Sequence, residues 1–209
     1  MAPKFAGILG IVGCAVFWSA LIVLGSLRES YSQSINDISE LGAIGTPNAA
    51  VWNVVGFIIP GLCLAAAGRV LADAIDAPRS RSGRIAAWLL PSFGLGVAGQ
   101  GLFPALMANG VPVIASWHTR THLIISLMSG LAWMIGVLAL IPPMSRNPEW
   151  SRWRLMNVAA VLLAILGSMG RGGGLPDGLV QRIVDAVVFA WFVIMSLKLV
   201  QRGGHRLSA

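Results

Sequence analysis

Six uninterrupted apolar runs, joined by short polar loops, constrain this chain more than any other feature. They cover residues about 5–27, 49–72, 85–103, 112–141, 155–169 and 179–200. A bilayer core of roughly 30 Å needs about 20 apolar helical residues, and only the fifth run is clearly shorter. The runs are continuous, whereas barrel strands alternate over about 10 residues, so helices are favoured. The sequence predicts an all-α polytopic membrane protein, a single domain over 1–209 built as a six-transmembrane-helix bundle.

The basic residues are sorted between the two sets of loops. Eleven of the 15 Lys and Arg lie in the N-terminus, the second loop, the fourth loop and the C-terminal tail, and four lie in the other loops with their flanks. The positive-inside rule then predicts that both termini are cytoplasmic. The net charge is +7. The basic residues lie at span ends, where they can meet anionic lipid, and they do not indicate a nucleic-acid partner. We expect the plasma (inner) membrane of a bacterium.

One glycine-rich run imitates a nucleotide-binding motif. The run 94–99 reads Gly-Leu-Gly-Val-Ala-Gly, which matches the dinucleotide pattern. That pattern requires a strand before it and a helix start after it. Here it lies inside an apolar span, so we predict that its small residues pack one helix closely against another.

Three polar clusters remain, all on the predicted outer face. The first loop carries Asn36, Asp37, Ser39 and Glu40. The spacing of Asp37 and Glu40 is typical of a capping box, and Gly42 ends the turn. Two carboxylates above a bundle could also bind cations or ligand hydroxyls.

The second cluster lies on the fourth span. His118, His122 and Ser126 are spaced by four residues and therefore share one helix face. Two such histidines can hold zinc if a third ligand comes from elsewhere, and Glu40 or Asp185 is the expected third ligand. The alternative is a pair of interfacial histidines hydrogen-bonded to carboxylates.

The third cluster opens the sixth span with Gln181, Arg182 and Asp185. Ionisable groups near hydrocarbon are costly and usually pair inside the bundle. Pairing of Arg182 with Asp185 or with a first-loop acid is the favoured interpretation. A paired arginine can also hold a phosphate or carboxylate.

Several of these motifs together resemble a known family. Asn-Asp-Ile-Ser-Glu-Leu-Gly at 36–42, Phe103-Pro104, the histidine-bearing fourth span and Gly-Leu-Val-Gln-Arg at 178–182 are similar to an uncharacterised six-span bacterial membrane family, domain-of-unknown-function family 998. In that family an acidic residue often follows Phe-Pro, whereas Ala105 stands here, so a ligand role at that position is absent or moved. The resemblance implies a fold and a polar outer face but no settled activity.

The leading functional prediction is an outward-facing polar pocket that binds a lipid head group or small solute, with membrane lipids as partners. The predicted ligand-binding residues are Asn36, Asp37, Ser39, Glu40, His118, His122, Gln181, Arg182 and Asp185. One alternative is a zinc-dependent membrane hydrolase acting on a lipid, with His118 and His122 as metal ligands. Another is a transporter or an accessory membrane subunit. The sequence leaves the presence of an enzymatic activity and the oligomeric state open.

Overall fold

The computed structural model describes residues 1–108, 111–170 and 173–205, and its ordered structure is almost entirely helical. The helices are α1 Pro3–Ser26, α2 Ala49–Ala74, α3 Arg81–Leu102, α4 Trp117–Ala139, α5 Ile141–Arg146, α6 Arg154–Ser168 and α7 Asp177–His205. Short 3₁₀ turns lie at Ile38–Gly42, Ala77–Arg79 and Ser151–Trp153. A small antiparallel hairpin pairs β1 Met107–Ala108 with β2 Val111–Pro112.

Six helices form a ring, and α7 also reaches across it to contact α2, α3 and α4. The order around the ring is α6, α7, α1, α2, α3 and α4, and a contact between α4 and α6 closes it. Successive helices run in opposite directions. A Cβ on Gly7 would lie 2.5 Å from the carbonyl oxygen of Ser196, so the start of α1 lies beside the end of α7. Both ends of the chain therefore approach the same end of the ring.

The two ends of the ring differ in charge. We call the end that holds the start of α1, the α2–α3 and α5–α6 loops and the end of α7 the basic end. There Glu149 bridges Lys198 at 3.4 Å and Arg202 at 3.5 Å. The opposite end, formed by loop 27–48, residues 103–108 and 111–116 and the start of α7, is the cap end. The loops that are rich in Lys and Arg in the sequence thus lie together at one end of the bundle, and the loops with few of these residues lie at the other.

The glycine run 94–99 packs helices together, as predicted. A Cβ on Gly94 would lie 2.2 Å from the backbone nitrogen of Ala65 in α2. A Cβ on Gly96 would lie 1.9 Å from Ser129 Oγ in α4. Small residues let α3 approach both neighbours closely, so the resemblance to a nucleotide motif reflects helix packing.

The centre of the ring at the cap end is aromatic. Phe17 of α1 stacks on Phe189 of α7 with ring centroids 4.3 Å apart, and Trp52 of α2 lies 5.9 Å from Phe17. Residues Asn53–Ile58 of α2 are wound as a π-helix, a feature the sequence did not predict. Such bulges are rare and are frequently found at functional sites.

Five helices of the described chain are long and apolar enough to cross a membrane: α1, α2, α3, α4 with its extension α5, and α7. The remaining predicted span, the fifth (155–169), is α6, which has 15 residues and a length of about 22 Å. The predicted fourth span also begins too early. Its first residue, Pro112, belongs to β2, and α4 begins only at Trp117, because apolar content alone does not separate a short strand from a helix start.

Candidate functional site

The first loop docks on the start of α7, so two of the three predicted clusters meet. Gln181 Oε1 accepts a hydrogen bond from the backbone N–H of Ile38 at 2.8 Å. The N–H of Leu179 donates to the carbonyl of Ser34 at 2.8 Å. A Cβ on Gly178 would lie 2.4 Å from the carbonyl oxygen of Asn36, so this position requires glycine. The Gly-Leu-Val-Gln-Arg run is therefore a docking motif for the loop.

The acidic cluster of the first loop is engaged within the loop. Glu40 is only 7% exposed. Its carboxylate accepts the backbone N–H of Asp37 at 2.8 Å and the side-chain amide of Asn36 at 2.9 Å. This is the predicted capping box around the 3₁₀ turn Ile38–Gly42, in which Ser39 is partly buried. The box holds the loop in the shape that fits α7.

Arg182 fastens the loop to α7. Its guanidinium donates to Gln33 Oε1 at 3.0 Å, to the carbonyl of Asn36 at 2.9 Å, to the carbonyl of Gly178 at 2.7 Å, and to the hydroxyl of Tyr31. The expected carboxylate partner is replaced by neutral oxygens in the described part of the chain. Backbone carbonyls partner the buried part of the guanidinium because the loop folds over the arginine. The spacing of residues along the sequence does not predict this fold.

Tyr31 lies between two guanidinium groups. Arg182 is 5.6 Å and Arg28 is 5.9 Å from the centre of its ring, within the range of cation–π attraction. Its hydroxyl donates to the carbonyl of Asp37 at 3.3 Å. Burial raises the pKa of Tyr31 to about 12, although the nearby Arg182 opposes that shift. The phenol therefore keeps its proton at neutral pH and remains both donor and acceptor.

The histidine pair serves a different part of the structure. His122 is buried, and its Nδ1 contacts the carbonyl oxygens of Phe103 at 3.0 Å and Gln100 at 3.3 Å. His122 thus holds α4 against the end of α3. One turn earlier, His118 packs on the ring of Trp117 with centroids 3.8 Å apart.

The geometry does not add a third ligand to this pair. Among the described side chains, which cover residues 1–108, 111–170 and 173–202, no three His, Cys, Asp or Glu come together as a metal-binding set. Glu40, one expected third ligand, is occupied by the capping box. The zinc site at His118 and His122 stays a prediction, as does a direct ligand contact by the polar residues of the first loop.

A cavity of about 400 Å³ lies between the cap-end halves of α3, α4 and α7. Most of its wall is apolar, contributed among others by Phe17, Phe57, Phe93, Val97, Val184 and Val188. Polar residues are few, namely Gln100, Ser126, Ser129, Ser168, Gln181 and Asp185. An apolar hollow with a few convergent polar groups is the usual form of a ligand site.

Three polar side chains in the wall have donors or acceptors that are not used by other described residues. Within the described chain, the side chains of Gln100 and Ser126 make no hydrogen bond, and Gln181 uses its carbonyl oxygen but not its amide nitrogen. Ser129 donates to the carbonyl of Ile125 at 2.6 Å. Sequence reasoning missed Gln100 as a site residue, although a lone glutamine inside an apolar span was the available signal.

These features define a class: an α-helical, multi-span membrane protein with a capped bundle and a mainly apolar cavity near the cap end. The chain belongs to the family described as "Protein of unknown function (DUF998)", whose model matches residues 11–198. The family resemblance expected from the sequence is thereby confirmed. No curated protein and no solved structure matches the chain significantly.

Proposed function

We propose that this protein binds a small amphipathic ligand, either a lipid or a lipid-like solute, in the cavity between α3, α4 and α7. The observation that carries the proposal is the coexistence of an apolar wall with the unengaged hydrogen-bonding groups of Gln100, Ser126 and Gln181. A hydrocarbon group would lie against the wall, and a hydroxyl, amide or phosphate would reach the polar groups.

The polar groups set the position of the ligand along the bundle. Gln181 joins the cavity to the docked first loop through Ile38, and Ile38 itself lines the cavity. Asp185 lies one turn further along the same helix and also lines it. The polar part of the ligand would therefore sit near the cap end, with its apolar part toward the middle of the bundle.

The orientation of the bundle completes the proposal. We infer that all six ring helices cross the membrane, with α6 as a short span that is completed by the turn Ser151–Trp153 before it. An even number of crossings agrees with the start of α1 and the end of α7 lying at the same end of the ring, and the Lys and Arg excess there supports a cytoplasmic location for that end. The cap end and the cavity then face outward from the plasma membrane.

The test is ligand retention in native mass spectrometry of the gently solubilised protein. We expect the wild type to carry one ligand mass that is exchangeable with added lipid. The double variant Gln100→Leu/Ser126→Ala should lose about tenfold in affinity, the effect of one to two hydrogen bonds. Ser92→Ala is the matched control, since Ser92 is exposed on the outside of α3 and bonds only to the carbonyl of Trp88. Equal retention by all three proteins would contradict the proposal.

A further inference from the structure

The geometry points to one acyl chain of an outer-leaflet lipid as the occupant of the cavity, entering sideways through a gap between α4 and α6. This inference rests on the proposed function and names its ligand class and entry route. It follows from the shape of the gap, the composition of its rim and the size of the cavity.

The gap arises because α4 and α6 diverge toward the cap end. Near the basic end the two helices are joined, since Asn157 Nδ2 donates to the carbonyl of Val137 at 3.0 Å. At its other end α6 leans on α7, where a Cβ on Gly167 would lie 3.3 Å from both Ile183 and Val184. The helix ends there, at Ser168. Among the residues that the structure describes, the wall between α4 and α7 is consequently incomplete in the cap-end half of the bundle.

The rim of the gap faces the hydrocarbon of the membrane. Leu127 is 61% exposed and Leu131 is 38% exposed, and both line the cavity together with Gly130 and Ser168. A Cβ built on Gly130 would have no atom within 4 Å. Gly130 therefore leaves an opening in α4 where any larger residue would project into the mouth.

The apolar rim favours entry from the bilayer over entry from water. A polar solute arriving through the gap would first cross lipid-facing leucines at membrane depth, which is costly for groups that need hydrogen bonds. A hydrocarbon chain crosses the same rim without that cost. It gains no hydrophobic free energy by leaving the bilayer, but it fills a void and supplies the wall with contacts that an empty cavity lacks.

The size of the cavity limits the occupant. A volume of about 400 Å³ suits a single hydrocarbon chain and is too small for a whole two-chain lipid. The rest of the lipid would stay in the outer leaflet, beside the rim, and its linkage region would lie at the level of Gln181. The polar groups of the wall then select the linkage rather than the chain.

The inference is tested with a phosphatidylglycerol that carries a diazirine in the middle of one acyl chain. It is incorporated into vesicles with the full-length protein, irradiated, and the labelled residues are mapped by peptide mass spectrometry. We expect labels on inward-facing wall residues such as Val97 and Val188, in addition to labels on the outside of the bundle. Gly130→Trp should reduce the wall labels at least tenfold and leave the outside labels unchanged.

Two further variants keep the test decisive. Leu162→Trp is the matched control, because Leu162 is 53% exposed on α6 and lies outside the cavity lining; it should leave the wall labels unchanged. Leu127→Trp blocks the same mouth from an exposed position and replaces Gly130→Trp if that variant does not fold. Wall labels that persist in both mouth variants would overturn lateral entry.

The outcome also separates this inference from the proposed function. In one outcome the cavity wall of the wild type is unlabelled, but the protein still retains a ligand that Gln100→Leu/Ser126→Ala weakens. That outcome would overturn the acyl-chain inference and leave the proposed function standing. An unlabelled wall with no retained ligand would overturn both.

Discussion

Replacement of Arg182 by lysine isolates the geometry of the guanidinium from its charge. The native side chain reaches four acceptors, two of which are the carbonyls of Asn36 and Gly178. A charge-assisted hydrogen bond contributes about 1.5–3 kcal/mol when shielded and about 0.2–1 kcal/mol when exposed. The bond to Gln33 is exposed, so it adds little, and the bond to Gly178 lies within α7. The partly buried bonds to the carbonyl of Asn36 and the hydroxyl of Tyr31 therefore hold the loop.

Lysine keeps the positive charge but cannot reproduce the planar fork. We expect Arg182→Lys to lose about 2 kcal/mol of docking free energy, the equivalent of one to two of the shielded bonds. That is about a thirty-fold increase in the opening equilibrium of the loop, since about 1.4 kcal/mol corresponds to a factor of ten.

Hydrogen–deuterium exchange of peptides covering residues 34–40 measures this opening, because the N–H of Ile38 is bonded to Gln181 in the docked loop. Arg28→Lys is the control. Arg28 also flanks Tyr31, but it donates a single bond, to the carbonyl of Glu40 at 2.8 Å, so its effect should stay within about threefold. Exchange that is unchanged in Arg182→Lys, or equal in the two variants, would refute the assignment of Arg182 as the fastener.

Three further predictions concern single contacts. Asn157→Leu should lower the free energy of unfolding by about 2–3 kcal/mol, because it leaves the buried indole N–H of Trp191 without its acceptor at 2.9 Å; reversible denaturation in mixed micelles measures this, and an unchanged midpoint would contradict it. Gly178→Ala should accelerate exchange in the first loop as Arg182→Lys does, and a native exchange pattern would show that the close approach to Asn36 is dispensable. His122→Ala should lower thermal stability in detergent by several degrees, whereas His118→Ala should lower it far less; equal losses would indicate a shared role such as a common metal.

Much of the fold could be predicted from the sequence because membrane helices are encoded by length and composition. The long apolar runs locate α1, α2, α3, α4 and α7, and the capping box of the first loop is visible in the spacing of Asp37 and Glu40. The π-helix at Asn53–Ile58 is different. It depends on the packing of the loop onto α2, where Asn53 Nδ2 donates to the carbonyl of Gly42 at 3.0 Å, and no local pattern announces it.

The site was only partly predictable for a related reason. Polar residues that cluster in the sequence identify the first loop and the start of α7 as candidates, but the sequence leaves open whether the two meet, which the contacts of Gln181 and Arg182 establish. The role of Arg182 could not be read in the same way, since its partners are mainly neutral oxygens of a folded loop. The cavity could not be predicted from the sequence because it is a space that the helices leave unfilled. It arises from the short α6 and from the glycine at position 130.

The presence of a ligand in the cavity is the central claim, and a crystal structure grown from a lipidic mesophase tests it most directly. The account predicts elongated density inside the cavity along Val184, with its polar end at the level of Gln181 and a continuous connection to the outside of the bundle beside Gly130. A bundle in which α4 closes onto α7, or a cavity that contains only ordered water, would contradict it.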